Sequence, residues 1–190
     1  MKVSPTDLPE VLLFEPDVFR DARGFVVESF NQRAFEVAVG HAANFVLDVH
    51  SHSQRGVLRG LHYQRPPHTQ AKLVRVSVGC VYDVAVDLRR SSRRFGRWTG
   101  VELSAERAQQ LWIPQGFAHG FLVLSESAEV QYKATAYYEP LSEGAIRWDD
   151  PSIDIRWPAL DIEPQLSPKD AAAPALTETS VPFEWGEGGD

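Results

Sequence analysis

The stretch Val81-Tyr82-Asp83-Val84-Ala85-Val86-Asp87-Leu88 decides the fold. It is rich in β-branched and aromatic side chains and holds no glycine or proline, which favours an extended strand over a helix. Side chains alternate across a strand, so Tyr82, Val84, Val86 and Leu88 share one face while Val81, Asp83, Ala85 and Asp87 share the other. A face on which carboxylates alternate with small apolar groups either meets solvent or lines a polar cavity. Working outward, Phe25 to Phe30, Lys72 to Val76 and Glu129 to Tyr138 read the same way. Glycine, proline and asparagine punctuate the chain at intervals of about 8–12 residues, the rhythm of an all-β sandwich or barrel. In the last of these runs Tyr132, Ala134, Ala136 and Tyr138 would share a face, two phenols flanking a hollow left by two alanines. Helical signals are few: Asn31 to Val39 and Ser104 to Gln110 each predict a short helix. From Ala171 to Asp190 the composition turns to Ala, Pro, Glu and Gly, which predicts a loosely ordered tail with Val181 to Trp185 able to dock.

Composition sets outer limits. A chain of 190 residues with 43% hydrophobic content predicts one domain with a real core. The single cysteine, Cys80, excludes an internal disulfide and a cysteine-based zinc site. The N-terminal residues lack the apolar core of a signal peptide and no run reaches the ~18 residues of a membrane span. The expectation is a soluble, cytoplasmic protein without a membrane partner. Net charge is −7, unevenly spread: residues 139–190 carry 12 acids and 3 bases, whereas residues 55–97 carry 10 bases and 2 acids. The overall acidity argues against a nucleic-acid partner, while two or three of the arginines suffice for a small phosphorylated ligand.

Six histidines stand at 41, 50, 52, 62, 68 and 119. His50-Ser51-His52 would present two rings on one strand face, the start of a cupin metal site, but the close glutamate of such a site is missing. The reading is therefore no metal. The densest constellation is Arg59-Gly60-Leu61-His62-Tyr63-Gln64, followed by Lys72 in an otherwise apolar strand. A lysine directed inward is costly unless paired or functional. His119 sits among aromatics and glycines in Leu111 to Phe121. His62 and His119 each read as core histidines or as acid–base groups. There is no nucleophile elbow, phosphate loop, dinucleotide fingerprint or HExxH helix. A histidine base, a tyrosine acid, a lysine for developing negative charge and arginines for phosphate fit proton abstraction next to a carbonyl on a phosphorylated or nucleotide-linked substrate.

Six runs carry a resemblance: Phe19 to Phe25, Arg55 to Gln64, Val81 to Arg89, Leu111 to Phe121, Trp148 to Pro151 and Leu166 to Asp170. Together they resemble the dTDP-4-dehydrorhamnose 3,5-epimerase family, in order and with its spacing, from Leu8 to Asp170. The resemblance implies an all-β jelly-roll cupin barrel of two antiparallel sheets with a few short helices, residues 1–170 forming one domain and 171–190 a tail. It also implies a homodimer with exchanged strands and no cofactor. By matching position, His62 is the general base, Asp170 its orienting carboxylate, Tyr132 the proton donor and Lys72 the cation at the enolate oxygen, with Asp83 as the partner that keeps Lys72 charged. His119 matches a second histidine at the sugar, Arg23 and Arg59 the pyrophosphate contacts, and Phe19, Glu28 and Tyr138 the nucleoside side. Glu143 and Lys169 match further substrate contacts. The implied substrate is dTDP-4-dehydro-6-deoxy-D-glucose, inverted at C3 and C5 for dTDP-L-rhamnose biosynthesis. One stretch departs: Leu47-Asp48-Val49 stands where the family has Gln-x-Asn, replacing two polar contacts by apolar ones. That departure keeps open the alternative of a single-carbon 3- or 5-epimerase. A non-catalytic sugar-nucleotide or metal-binding cupin is the reading from outside the enzymes.

Overall fold

The β-branched and aromatic runs become strands in the computed structural model, which describes residues 1–181 and 183. The first four are β1 (Lys2–Pro5), β2 (Leu12–Glu15), β3 (Val18–Asp21) and β4 (Gly24–Val27), followed by helix α1 (Gln32–Val39). Next come β5 (Leu47–Gln54), β6 (Leu58–Gln64), β7 (Lys72–Val78), β8 (Cys80–Asp87) and β9 (Trp98–Ser104). The last strands are β10 (Gln110–Ile113), β11 (Phe117–Val123), β12 (Ser127–Ala134) and β13 (Glu143–Ala145), and a helical turn, α2 (Pro168–Ala171), follows them. Six strands pair in the order β1-β2-β10-β7-β12-β5 and five in the order β13-β6-β11-β8-β9, while β3 and β4 form a separate hairpin. The pairings are antiparallel, and the two large sheets form a jelly-roll, cupin-like barrel.

Three apolar layers hold the sheets. Between them, Val74, Val76, Leu111, Ile113 and Val130 of one sheet meet Val81, Ala85, Leu103, Phe117 and Phe121 of the other. The outer face of the six-stranded sheet is covered by α1, whose Phe35 packs with Phe14, Leu73 and Trp112. The helix begins where its sequence says it should: the Asn31 side chain accepts the Ala34 N–H, and Gly40 closes it in the left-handed conformation at φ 80°. The outer face of the five-stranded sheet is covered by the C-terminal segment, with Leu176, Val181 and Phe183 buried against Val84, Val86 and Leu88. Both faces of β8 are therefore buried. The carboxylates of Asp83 and Asp87 point into the molecule and not to solvent.

Three expectations are corrected. The segment from Ala171 to Val181, together with Phe183, is packed rather than loose, because its apolar side chains cover sheet that would otherwise be exposed; Glu184 and Trp185 lie outside the described residues. Ser104 to Gln110 makes a single turn and no helix. The Ser104 hydroxyl accepts the Arg107 N–H, but Ala108 then takes a positive φ of 53° and Gln110 enters the sheet beside β7. Strand β12 stops at Ala134, so only Tyr132 and Ala134 share the expected face, and Tyr138 lies in the loop beyond. That loop leaves the sheet because Thr135 closes onto Ala71 with both its N–H and its hydroxyl. Among the described residues no helix is long and apolar enough to cross a membrane.

One close approach shapes the site. The pairing of β6 with β11 shifts register between the His62–His119 pair and the Arg59–Phe121 pair, a bulge of the kind that re-aims side chains. At the shift Gly60 and Gly120 face each other, and a Cβ on Gly120 would lie 2.8 Å from the Arg59 carbonyl oxygen and 3.1 Å from the Gly60 Cα. Gly120→Ala is expected to cost about 1–3 kcal/mol of stability through overpacking, read as a lower midpoint in urea denaturation with an unchanged slope.

Candidate active site

The bulge leaves His62 on β6 directly beside His119 on β11, so two imidazoles share one end of the barrel. Each has its own carboxylate. The His62 Nε2 lies 2.5 Å from Asp170 Oδ1, and the His119 Nε2 lies 3.0 Å from both oxygens of Asp83. Asp170 reaches its place from α2, whose start is defined by Ser167: the hydroxyl accepts the Asp170 N–H, and Pro168 occupies the first turn. Burial pushes the Asp170 pKa up, but the hydrogen bond and charge of His62, with help from Ser167 and Lys169, outweigh it and hold the carboxyl below its usual range. His119 is fully enclosed. Burial drives its pKa down against the opposing pull of Asp83, and the charges of Lys72 and His62 push the same way as burial.

The opposite sheet supplies Lys72 and Tyr132, from β7 and β12, which pair so that Ala134 faces Lys72. The Lys72 ammonium sits 5.3 Å above the Tyr132 ring, and that ring meets His119 edge-on at 6.5 Å between centroids. Burial pulls the Lys72 pKa down to about 8, opposed by the charges of Asp83 and Glu143 and reinforced by Lys169. Burial is also the main reason the Tyr132 phenol is raised, with Glu143 adding to it and Arg59 opposing. Asp83 was expected to partner Lys72. It acts on the ammonium through space, but its hydrogen bonds go to His119, which lies next to it on the neighbouring strand.

At the rim, Glu143 joins two other expected residues. Tyr138 donates its phenol to Glu143 at 3.0 Å, and the Lys169 ammonium closes an ion pair with the same carboxylate. Burial raises the Glu143 pKa, yet these two donors win and hold it low. Because Lys169 precedes Asp170, the rim cluster and the His62 pair are anchored on one helical turn. Arg59, exposed on β6, donates to the Ser53 hydroxyl at 3.0 Å. Leu47 and Val49 lie opposite Ala134 and Tyr132 across the β5–β12 ladder, so the departure from the family pattern stands beside the phenol.

Phe19, Arg23 and Glu28 do not join this cluster within one chain. Phe19 and Arg23 ride on the β3–β4 hairpin, where Phe19 is 69% exposed and Arg23 pairs with its neighbour Asp21. Glu28 follows β4 and is also exposed. His50 and His52 share the outward face of β5, and His50 meets Glu129 at 3.1 Å. Among the described residues no three His, Cys, Asp or Glu side chains gather as metal ligands. Sequence reasoning missed the Asp83–His119 bond, and also Ser167 as the cap that seats Asp170; the Ser-Pro dipeptide ahead of Asp170 was the available signal.

The family model of dTDP-4-dehydrorhamnose 3,5-epimerase matches residues 5–178. The dTDP-4-dehydrorhamnose 3,5-epimerase of Salmonella typhimurium is 57% identical over 178 residues, covering 94% of this chain and 97% of that protein. A crystal structure of the 3,5-epimerase from Legionella pneumophila in complex with dTDP-4-keto-L-rhamnose superposes with a TM-score of 0.93 at 48% identity, covering 97% of this chain and 99% of that one. A 3'-monoepimerase from Streptomyces bikiniensis in complex with dTDP-quinovose matches with a TM-score of 0.86 at 36% identity, covering 92% of this chain and 87% of that one.

The buried ammonium carries a measurable cost. Lys72 is protonated more readily in the unfolded chain than in the folded one, so its penalty is complete below pH 8 and vanishes above the unfolded value of 10.5. That span corresponds to about 3 kcal/mol. Lys72→Met should therefore be more stable than the parent at pH 7, by up to about 3 kcal/mol. The gap should close as pH rises from 8 to 10.5, measured by urea melts of both proteins in parallel.

Proposed function

The chain belongs to the dTDP-4-dehydrorhamnose 3,5-epimerase family, and we propose that it inverts C3 and C5 of dTDP-4-dehydro-6-deoxy-D-glucose to give dTDP-4-dehydro-L-rhamnose. The observation that supports the mechanism is the carboxylate-backed His62 beside His119 on one sheet, with His119 meeting the ring of Tyr132, under Lys72, from the other. The C4 ketone acidifies the protons on C3 and C5, so a base and an acid on opposite faces of the sugar suffice to invert either carbon. With its Nε2–H donated to Asp170, His62 presents Nδ1 as a free lone pair, and the carboxylate stabilises the imidazolium that forms. Proton removal pushes charge onto the C4 oxygen. Lys72, still largely protonated near neutral pH, is suited to stabilise that charge, with His119 beside it. Tyr132 stays protonated because burial raises its pKa, and it returns a proton to the opposite face. At each carbon the substrate loses one proton to His62 and gains one from Tyr132, and exchange with solvent returns His62 to the free base and Tyr132 to the phenol before the next inversion, so the proton count closes without a cofactor.

Tyr138, Glu143 and Lys169 would hold the nucleoside and adjoining groups, and Arg59 the pyrophosphate. Phe19, Arg23 and Glu28 would complete this end from a second copy of the chain. The hairpin that carries Phe19 and Arg23 stands apart from both sheets with Phe19, Phe25 and Val26 exposed, which suits it to insertion in a homodimer. The described residues form one catalytic domain, and a nucleotide-sugar substrate fits an enzyme of the cytoplasm.

Incubation with the substrate in D₂O, followed by NMR, tests the reaction. Deuterium is expected at both C3 and C5; label at one carbon would make this a single-carbon epimerase and turn attention to Leu47 and Val49. His62→Ala should abolish exchange at both carbons and leave dTDP binding intact. The dimer has its own test, since each site would combine His62 of one subunit with Arg23 of the other. Mixing inactive His62→Ala with impaired Arg23→Ala subunits should recover up to about a quarter of wild-type activity in mixed dimers. No recovery after verified subunit exchange would show that the hairpin serves its own chain.

A further inference from the structure

Gln64 is an amide with little left to bond. It is 5% exposed and lies two residues beyond His62 on β6. Its Nε2 donates to the carbonyls of His68, at 2.7 Å, and Tyr137, at 3.1 Å, and its Oε1 accepts the N–H of Glu139 at 2.7 Å. Three of the four hydrogen bonds that a Gln side chain can make are thus used. The two groups taken from the 137–139 segment are the carbonyl before Tyr138 and the N–H after it. One amide therefore brackets Tyr138 as a neighbouring strand would, at a point where β12 has ended and no strand is present. Gln70 continues the clamp by donating to the Ala136 carbonyl at 2.8 Å.

The Tyr138 side chain has little else to hold it. It is 56% exposed, so packing does not place it, and among the described residues its one side-chain hydrogen bond is to Glu143. Glu143 in turn pairs with Gln64 across the β6–β13 ladder. The position of the phenol relative to His62 is therefore set by a short rigid path: His62, along β6 to Gln64, and across the amide to the backbone on both sides of Tyr138.

We infer that Gln64 is a positioning residue that fixes the distance between the nucleoside platform at Tyr138 and the proton-abstracting His62. The inference rests on the proposed nucleoside role of Tyr138. Gln64 touches no reacting atom, and its effect is on how well the bound sugar lies against the base when the nucleotide is gripped. A large share of nucleotide-sugar binding energy comes from the part of the substrate that does not react, so displacing that platform weakens binding before it alters chemistry.

A double-variant cycle separates this from a merely structural role. Gln64→Met removes the three bonds at nearly constant volume, and kcat and KM for the dTDP-sugar are measured in Gln64→Met, Tyr138→Ala, the double variant and the parent. Gln64→Met is expected to raise KM about tenfold or more with kcat changed less than about threefold. In the Tyr138→Ala background the same change should move KM by less than about threefold, because the platform it positions is already gone. An equal effect of Gln64→Met in both backgrounds, an unchanged KM, or a loss confined to kcat would overturn the inference. An unchanged KM in Tyr138→Ala alone would instead remove the nucleoside role of Tyr138 and the inference with it. If Gln64→Met does not fold, Gln64→Glu keeps the acceptor for Glu139, loses both donated bonds, and is read in the same cycle.

Discussion

The bond between His62 and Asp170 joins residues 108 positions apart, and much of the molecule is arranged to make it. A histidine on a sheet can be oriented by a carboxylate on an adjacent strand, as His119 is by Asp83. On the strand beside His62 the carboxylate, Glu143, is engaged by Tyr138 and Lys169. The carboxylate bonded to His62 comes instead from outside the sheet, so the chain returns after β13, caps a helical turn with Ser167 and holds that turn against β6. The segment that follows supplies the holding force. Leu176, Val181 and Phe183 are buried on the outer face of the five-stranded sheet, and Asp150 anchors the Leu176 N–H at 2.6 Å. Docking of the C-terminal residues is thereby linked to the placement of the carboxylate that His62 bonds.

The two His–carboxylate pairs differ in environment. His119 and Asp83 are both deep, so burial favours the neutral imidazole, a hydrogen-bonding group more than a proton acceptor. The His62 side chain is partly open, 29% exposed, while its partner Asp170 is enclosed. Lys72 lies over the Tyr132 ring, and its burial costs stability. The site thus concentrates groups that a core selected for stability alone would not contain, a familiar trade between stability and activity.

The chain of contacts also explains how a mobile-looking rim can be accurate. Tyr138, Glu143 and Lys169 are all near solvent, yet each is tied to a buried element: Tyr138 through the Gln64 clamp, Glu143 through its pairing with β6, and Lys169 through its place next to Asp170. A nucleotide gripped there would be referenced to the same strand that carries the base.

Much of this was legible in the residues. The β-branched runs and their turn spacing determined an all-β fold, Asn31 to Val39 marked α1, and the runs around His62 and His119 carried the family resemblance, because these signals are local. Alternation along Val81 to Leu88 identified the carboxylate face but not its direction, since burial of both faces of a strand depends on what covers the sheet, here a segment about ninety residues away. Nor could spacing show that Asp83 belongs to His119 or that β12 ends before Tyr138. Each of these is settled by which strands become neighbours and which backbone groups find partners. Residue types state what chemistry is possible; only packing decides which of them meet, at what distance and in how dry a setting.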